Sequence, residues 1–273
     1  MEVAATGAAA ELAAALDAVG GRRLVVAGGD GSVHAVVRHL HDTGALGEVG
    51  PVGLVPLGTG NDLARSLGLP LGDPTAAAQV ALTGRAQGTE LVVETSGERP
   101  AAVAVNAVHT GIGVSAALRA HRLKPFLGRL AYPVGAVAAG ALGGPWHLRV
   151  VVDGEVVHDG DQPVSLVALS VGRTIGGGAQ VSPAATPHDG LVDVVVSTSN
   201  GVRARAGYAL TMLRGRAVER RDVARVRGRD AVVEAVDGDP FVLNADGELL
   251  HPRAVSSWTT LHDAWSVLVP REG

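Results

Sequence analysis

Two glycine-rich stretches carry the residues best suited to chemistry: Gly28-Gly29-Asp30-Gly31-Ser32, and the run over residues 56–65 that reads PLGTGNDLAR. In the first, Gly28, Gly29 and Gly31 let the backbone turn tightly and expose its N–H groups, while a helix expected to start near Ser32 points its positive end at the same place. Such a loop suits a phosphate. Asp30 would repel that phosphate unless a cation or a reacting hydroxyl lies between them, so it points to Mg-nucleotide chemistry rather than passive anion binding. The second stretch adds Gly58, the Thr59 hydroxyl, the Asn61 amide and the Asp62 carboxylate. One GGDG alone is as readily a tight turn whose Asp caps a helix; two such loops aimed at one place are harder to explain that way.

The elements around the loops explain why they would face one ligand. RRLVVA before the first loop and VGLV before the second are short β-branched runs ended by Gly or Pro, the pattern of buried strands. VHAVVRHLH and NDLARSL, which follow the loops, have the apolar spacing of helices. Two strand-loop-helix units in succession imply parallel strands, and the loops at their carboxyl ends gather on one edge of the sheet. Strong helix formers over 8–19 end at Gly20 and Gly21, and a further helix is expected over 74–82, with Pro74 near its start. From about Thr89 the pattern changes. ELVVE, AAVAVNAV, HLRVVV, VSLVALSV, LVDVVVS and AVVEAV are strand-like, with turn pairs such as Asp153-Gly154 between some of them. Helices near 127–142 and 202–213 interrupt this region, and AWSVLVP closes the chain as another strand. The expected architecture is an α/β N-terminal domain with a parallel sheet, over 1–90, followed by a β-rich, β-sandwich-like C-terminal domain over 91–254.

Composition narrows the chemistry. The chain has 273 residues, 47% of them hydrophobic, enough for one large or two ordinary domains, and two fits the change of pattern better. Lys124 is the only lysine, so neither a Walker lysine nor a Schiff-base lysine stands near the loops. Without cysteine there is no disulfide, thiol catalysis or cysteine metal site, which agrees with a cytoplasmic location. The longest uncharged stretch, 130–146, contains Pro133 and much Ala and Gly; it falls short of a membrane span and reads as a packed helix. A net charge of −4 argues against nucleic acid as a partner. Residues 202–229 nevertheless hold nine arginines against Glu219 and Asp222. Such a segment is either a solvated face or a surface for anionic lipid headgroups, where each basic side chain contributes about 1 kcal/mol.

Rival motifs are weaker. Gly111, Gly113 and Ala116 fit a relaxed dinucleotide fingerprint, but the acidic residue it needs about 20 positions later is missing. GVSAA lacks the closing glycine of a nucleophile elbow at Ala117, and the histidines form no HExxH; His39 and His41 lie at a polar helix end.

GGDGS followed by PLGTGNDLAR resembles the catalytic domain of the diacylglycerol kinase family, which includes bacterial lipid kinases and sphingosine kinases. The likeness continues in order through LGRLAYPVGA at Leu127, the glycines at 176–178, SPAATPHDGLVDVVV from Ser182 and NADGE at 244–248, and so covers nearly the whole chain. The PLGTGNDLAR element is highly specific, whereas GGDG is shared with NAD kinases and phosphofructokinase-like enzymes. The resemblance implies an ATP-dependent lipid kinase with Mg2+, transferring the γ-phosphoryl group to a lipid hydroxyl, diacylglycerol-like, at the inner membrane face. It implies that Gly28, Gly29, Asp30, Gly31, Ser32, Gly58, Thr59, Asn61 and Asp62 hold the nucleotide, Asp30 and Asp62 acting through Mg2+ or ordered water. It makes Glu248 of NADGE the proton acceptor and Asp30 its catalytic companion. It places a structural Mg2+ at the Asp189 carboxylate and the main-chain oxygens of Thr186 and Leu191, and returns the last segment, about 255–273, to the first domain. A second copy of the chain is left open as a partner.

Departures from the family pattern keep a second reading in view. The family's opening strand and NPxSG-type loop are not in this sequence, which begins almost at the following helix. Ser32 replaces the usual Thr, His34 and Ala35 stand where many members have Asn and Glu, Val114 and Ser115 where Phe-Asp is common, and Val171 where Asn is common. A catalytically silent nucleotide- or lipid-binding relative of the same fold is therefore the alternative, with an NAD kinase-like enzyme a more distant third.

Overall fold

The computed structural model describes residues 9–18, 20–97, 101–111, 114 and 146–271. The helix expected near 127–142, most of the uncharged stretch from 130, and Ser115 lie outside the described residues.

The first part alternates strands and helices: α1 (Ala9–Asp17), β1 (Val25–Gly28), α2 (Asp30–Asp42), β2 (Gly53–Pro56), α3 (Asp62–Ser66) and α4 (Pro74–Thr83). β1 and β2 pair in parallel, Val25 opposite Gly53 and Gly28 opposite Pro56, so both glycine loops leave the same edge. α2 starts at Asp30, earlier than expected, because the Ser32 and Val33 N–H groups already donate to Gly29 O at 3.0 and 3.2 Å. α4 starts where Asp73 Oδ1 accepts from Ala76 N at 2.9 Å and Pro74 needs no N–H partner. Its Ala77 and Ala81 pack on β2 so closely that a Cβ on Gly53 would lie 2.7 Å from Ala81 Cβ.

The second part is β-rich. In chain order come β3 (Arg85–Glu94), β4 (Val103–Ala104), β5 (Ala107–Gly111), β6 (Leu148–Val152), β7 (Glu155–His158), β8 (Leu166–Ser170), β9 (Thr174–Ile175), β10 (Ala179–Gln180) and β11 (Val192–Ser197). After the helix Val202–Leu213 follow β12 (Val223–Gly228), β13 (Asp230–Ala235), β14 (Asn244–Ala245), β15 (Glu248–Leu249) and β16 (Val255–Val269). They form two six-stranded sheets, ordered β12-β11-β8-β5-β14-β15 and β4-β3-β16-β13-β6-β7. Alternate residues of each sheet turn inward, among them Val108, Leu169 and Val194 on one side and Val150, Val233 and Trp258 on the other, and make one sandwich core. Asp153 and Gly154, at φ 49° and 87°, form the tight β6–β7 turn.

β16 ties the two parts together. Its first half carries Trp258 in the sandwich core, while Trp265, Val267 and Val269 belong to the core of the α/β part, with Val36, Val37, Leu54 and Leu63. It pairs with β3 along both halves, with a bulge between Leu261 and Trp265, and forms a parallel bridge from Val267 to Val52 beside β2. Among the described residues the parallel pairing consists of β1 with β2 and this bridge. Residue 90, where the sequence pattern changes, falls inside β3. No described helix is long and apolar enough to cross a membrane.

Trp258 is 2% exposed, and its Nε1 donates to Ser256 Oγ at 2.8 Å. Ser256 in turn donates to the buried Glu94 carboxylate at 2.8 Å, which also pairs with Arg253. Trp258→Ala removes a large side chain from a closed core and is expected to destabilise the sandwich by about 3–5 kcal/mol. A urea titration followed by circular dichroism measures it, and Trp258→Phe should lose clearly less.

Candidate active site

The two glycine loops interlock at closest approach. A Cβ on Gly58 would lie 2.5 Å from Gly29 Cα and 2.7 Å from Asn61 Oδ1, and one on Gly29 would lie 3.0 Å from Gly58 Cα. A side chain at Gly58 would force the loops apart, and one at Gly29 would be tight. Asn61 holds the second loop closed from a left-handed conformation at φ 53°: its Oδ1 accepts from Gly58 N at 3.0 Å and its Nδ2 donates to Gly58 O at 2.8 Å. Thr59 is exposed at the tip, and Ser32 is exposed on the first turn of α2 with its hydroxyl against Gly28.

Asp30 and Asp62 have different work. Asp30 Oδ1 accepts from Asp62 N at 2.8 Å, and Gly60 lies over its Oδ2, where a Cβ would approach to 2.7 Å. Burial raises the Asp30 pKa and the neighbouring Asp62 charge raises it further, against the lowering effect of the Asp62, Leu63 and Asn61 N–H groups. A cation beside Asp30 would relieve that strain, which fits the donor chemistry expected for Mg2+. Asp62 is 5% exposed and already engaged: Oδ1 accepts from Thr174 Oγ1 at 2.6 Å and Oδ2 from Gly177 N at 2.8 Å. It therefore fastens the second loop to the β9–β10 turn. Gly176, Gly177 and Gly178 all have positive φ, and Gly177 packs on Gly60, which is why three glycines stand together there. Ser66 adds a second tie, donating to Asp62 O at 3.0 Å and accepting from Arg173 N at 2.9 Å.

Glu248 arrives from the opposite part of the chain. The β14–β15 turn, with Asp246 at φ 48° and Gly247 at φ 99°, delivers it to α2. Its Oε2 lies 3.2 Å from His34 Nε2, and Arg38 Nη1 donates to both carboxylate oxygens at 2.6 and 2.5 Å. His34 Nδ1 lies 3.2 Å from Asp246 Oδ2. Asp246 accepts in turn from Val105 N at 2.6 Å, Asn106 N at 3.1 Å and Ala107 N at 2.9 Å. Burial pushes the Glu248 pKa up, but the Arg38 bond and charge, joined by those of His34, outweigh it and leave the carboxyl below its ordinary value. His34, Arg38 and Asp246 are site residues that the sequence reading did not assign. Their signal was available in part, since positions 34 and 38 share a helix face one turn apart and positions 246 and 248 share a hairpin.

The turn expected to hold a structural Mg2+ is built differently from a bare cation site. Asp189 Oδ2 accepts from Thr186 Oγ1 at 2.6 Å and pairs with Arg227, while Oδ1 accepts from Leu191 N at 3.2 Å. Across the turn the fully buried Glu90 Oε1 accepts from Gly190 N at 2.6 Å and meets His262 Nδ1 at 3.1 Å, and its Oε2 has no hydrogen-bond partner. Burial raises the Glu90 pKa. The oxygen donors and the orphan carboxylate oxygen suit a hard cation, with Arg227 meeting the Asp189 charge in this structure.

The arginine-rich segment is mostly paired within the molecule. Arg216 bonds Glu219 at 2.7 Å, Arg220 bonds Asp222 at 2.6 Å, Arg225 bonds Asp193 at 2.6 Å, and Arg227 joins Asp189 and Asp193. Arg205 is buried, and Arg229 donates to Thr260 O at 3.4 Å. Arg203, Arg214 and Arg221 are exposed, so the positive face is weaker than the arginine count suggests.

The model of the diacylglycerol kinase catalytic domain matches residues 1–93, and that of the YegS C-terminal NAD kinase beta sandwich-like domain matches 106–268. A protein named diacylglycerol kinase from Mycobacterium tuberculosis strain H37Rv is 31% identical over 269 residues, covering 97% of this chain and 82% of the relative. One named "Probable lipid kinase YegS-like" from Xanthomonas axonopodis pv. citri is 32% identical, covering 82% and 72%. The crystal structure of a diacylglycerol kinase from Bacillus anthracis superposes with a TM-score of 0.74 at 20% identity, over 97% of this chain and 84% of that one. At that identity the superposition speaks for the fold.

The glycine contact gives a direct test. Gly58→Ala forces the loops apart and is expected to weaken ATP binding about tenfold or more, read by calorimetry, whereas Gly47→Ala, outside both loops and with nothing within 4 Å of its Cβ, should leave affinity within about twofold.

Proposed function

Because the chain belongs to the diacylglycerol kinase catalytic-domain family, whose named relatives are lipid kinases, we propose that it transfers the γ-phosphoryl group of ATP to the hydroxyl of a diacylglycerol-like lipid. One observation supports this above the others: the helix that opens at the glycine loop also carries His34 and Arg38, which hold Glu248. One rigid element thus sets both the phosphate site and the proton acceptor, with Asp30 and His34 about 6 Å apart along its axis. Positioning of this kind is most of what phosphoryl transfer asks of a protein.

In this reading the N-terminus of α2 and the N–H groups around Gly28, Gly29 and Gly31 bind the nucleotide phosphates, with Ser32, Gly58, Thr59 and Asn61 lining the site. Asp30 lies at its floor and orients the cation or the water beside the phosphates. Mg2+, when bound there, offsets charge as the γ-phosphoryl group leaves. Asp62 keeps the second loop in place through Thr174 and Gly177. Glu248 accepts the proton of the lipid hydroxyl. Its lowered pKa keeps it ionised at neutral pH, so it takes that proton only as the oxygen–phosphorus bond forms. A structural Mg2+ at the Asp189 turn would draw on that carboxylate and on the carbonyls of Thr186 and Leu191, in competition with Arg227. A lipid acceptor requires peripheral contact with a membrane, placed by this reading on the inner face, and the exposed Arg203, Arg214 and Arg221 supply a modest attraction to anionic headgroups there.

Glu248→Gln is expected to lower turnover about 10²-fold to 10⁴-fold with ATP affinity nearly unchanged, as for loss of a base that acts only during transfer. Radiolabelled ATP with diacylglycerol vesicles gives turnover, and calorimetry gives affinity. Asp30→Asn should abolish transfer with the circular dichroism spectrum intact. Full activity of Glu248→Gln would sink its assignment as proton acceptor, and a wild-type protein that binds ATP yet phosphorylates no lipid would favour the silent-relative reading.

A further inference from the structure

We propose that His34 is the positioning residue for Glu248: anchored on an immobile carboxylate, its imidazolium holds the proton acceptor at the crevice and releases it when the ring loses a proton. The inference rests on the reading of Glu248 as that acceptor. It begins with Asp246, whose side chain is 1% exposed and fixed by the N–H groups of Val105, Asn106 and Ala107. A carboxylate so bound is a rigid post. His34 stands between this post and Glu248, with one ring nitrogen 3.2 Å from each.

Ionised carboxylates only accept hydrogen bonds, so both contacts exist together only when both ring nitrogens carry a proton. The neutral ring, in either tautomer, must abandon one of them. Arg38 cannot replace the lost contact equally: its side chain is 36% exposed, it reaches Glu248 through a single nitrogen, and it also approaches Asp42 at 3.8 Å. His34, at 7% exposure, has the more rigid hold.

The charges around the ring give the sign of the pH effect. Asp246 and Glu248 face it from the β14–β15 hairpin, Arg38 lies one turn further along its own helix, and Asp30 lies one turn before and is turned to Asp62. His109 on β5 stands near Asp246 but is kept neutral, since burial pulls its pKa down to about 4. Burial also pulls His34 down, but the bonds and charges of Asp246, followed by those of Glu248, outweigh it and leave its pKa raised. The alkaline limb of turnover is therefore assigned to His34 and should lie above the ordinary histidine value of about 6.5. Because the folded pKa is the higher one, the stability that His34 contributes is fully present below the unfolded value and is lost as pH rises through the folded value.

The test uses the full chain and three readouts. His34→Gln carries its N–H donors on one nitrogen instead of two and does not titrate; it should lower plateau kcat about tenfold, leave KM for ATP unchanged and remove the alkaline limb. The wild-type thermal midpoint should fall through that same pH range, and the fall should flatten in His34→Gln. NMR titration of His34 in the wild type should give a raised pKa that drops in Glu248→Gln, a measurement that needs neither turnover nor a folded His34 variant. An unchanged alkaline limb in His34→Gln, or a His34 pKa at or below the ordinary value, overturns the proposal. Loss of turnover in Glu248→Gln alongside either result leaves the proton-acceptor reading standing and removes only the role of His34.

Discussion

The capture of Asp246 by three successive backbone N–H groups is the interaction on which the arrangement depends. Val105 and Asn106 form the corner where the chain leaves β4 in one sheet and enters β5 in the other. At such a corner the N–H groups lose their ladder partners, and a buried unpaired donor is costly. Asp246 satisfies them, and they in turn make a buried carboxylate tolerable. The turn that follows Asp246 then has one place to go, beside α2, and Glu248 is carried there with it.

A second carboxylate joins the loops as Asp246 joins the sheets. The buried Asp62 carboxylate accepts from Thr174 and Gly177, so a sandwich hairpin braces a loop of the α/β part. Glycine contacts complete the junction: a Cβ on Gly58 would lie 2.5 Å from Gly29 Cα, which leaves no room for a side chain, and Gly60 lies against Gly177 in ordinary contact. Acidic residues in this molecule thus tie distant segments together. Asp193 does the same for Arg225 and Arg227, which removes two arginines from the positive surface.

The shared strand β16 makes these junctions stiff. Because it pairs with β3 on both sides of its bulge and its side chains enter both cores, the sandwich cannot shift against the α/β part without disturbing that ladder and both cores. Two cores held in this way keep Glu248 and the glycine loops in register, the geometric requirement of the group transfer proposed for them.

Local signals were legible in the sequence because their causes are local. Strand and helix periods, the glycines that tolerate φ above zero, and the turn at Asp153-Gly154 depend on near neighbours, so the two-part α/β and β-sandwich architecture and the two loops on one edge could be read directly. Motif likeness singled out Glu248, though nothing near it in the chain says what holds it. Tertiary structure alone decided that Asp62 is a brace, that His34 links Asp246 to Glu248, and that most arginines of 202–229 are already paired. His34 and Asp246 are 212 positions apart, and Asp62 and Thr174 are 112 apart. Such partners meet through sheet order and strand register, which are properties of the whole packed chain.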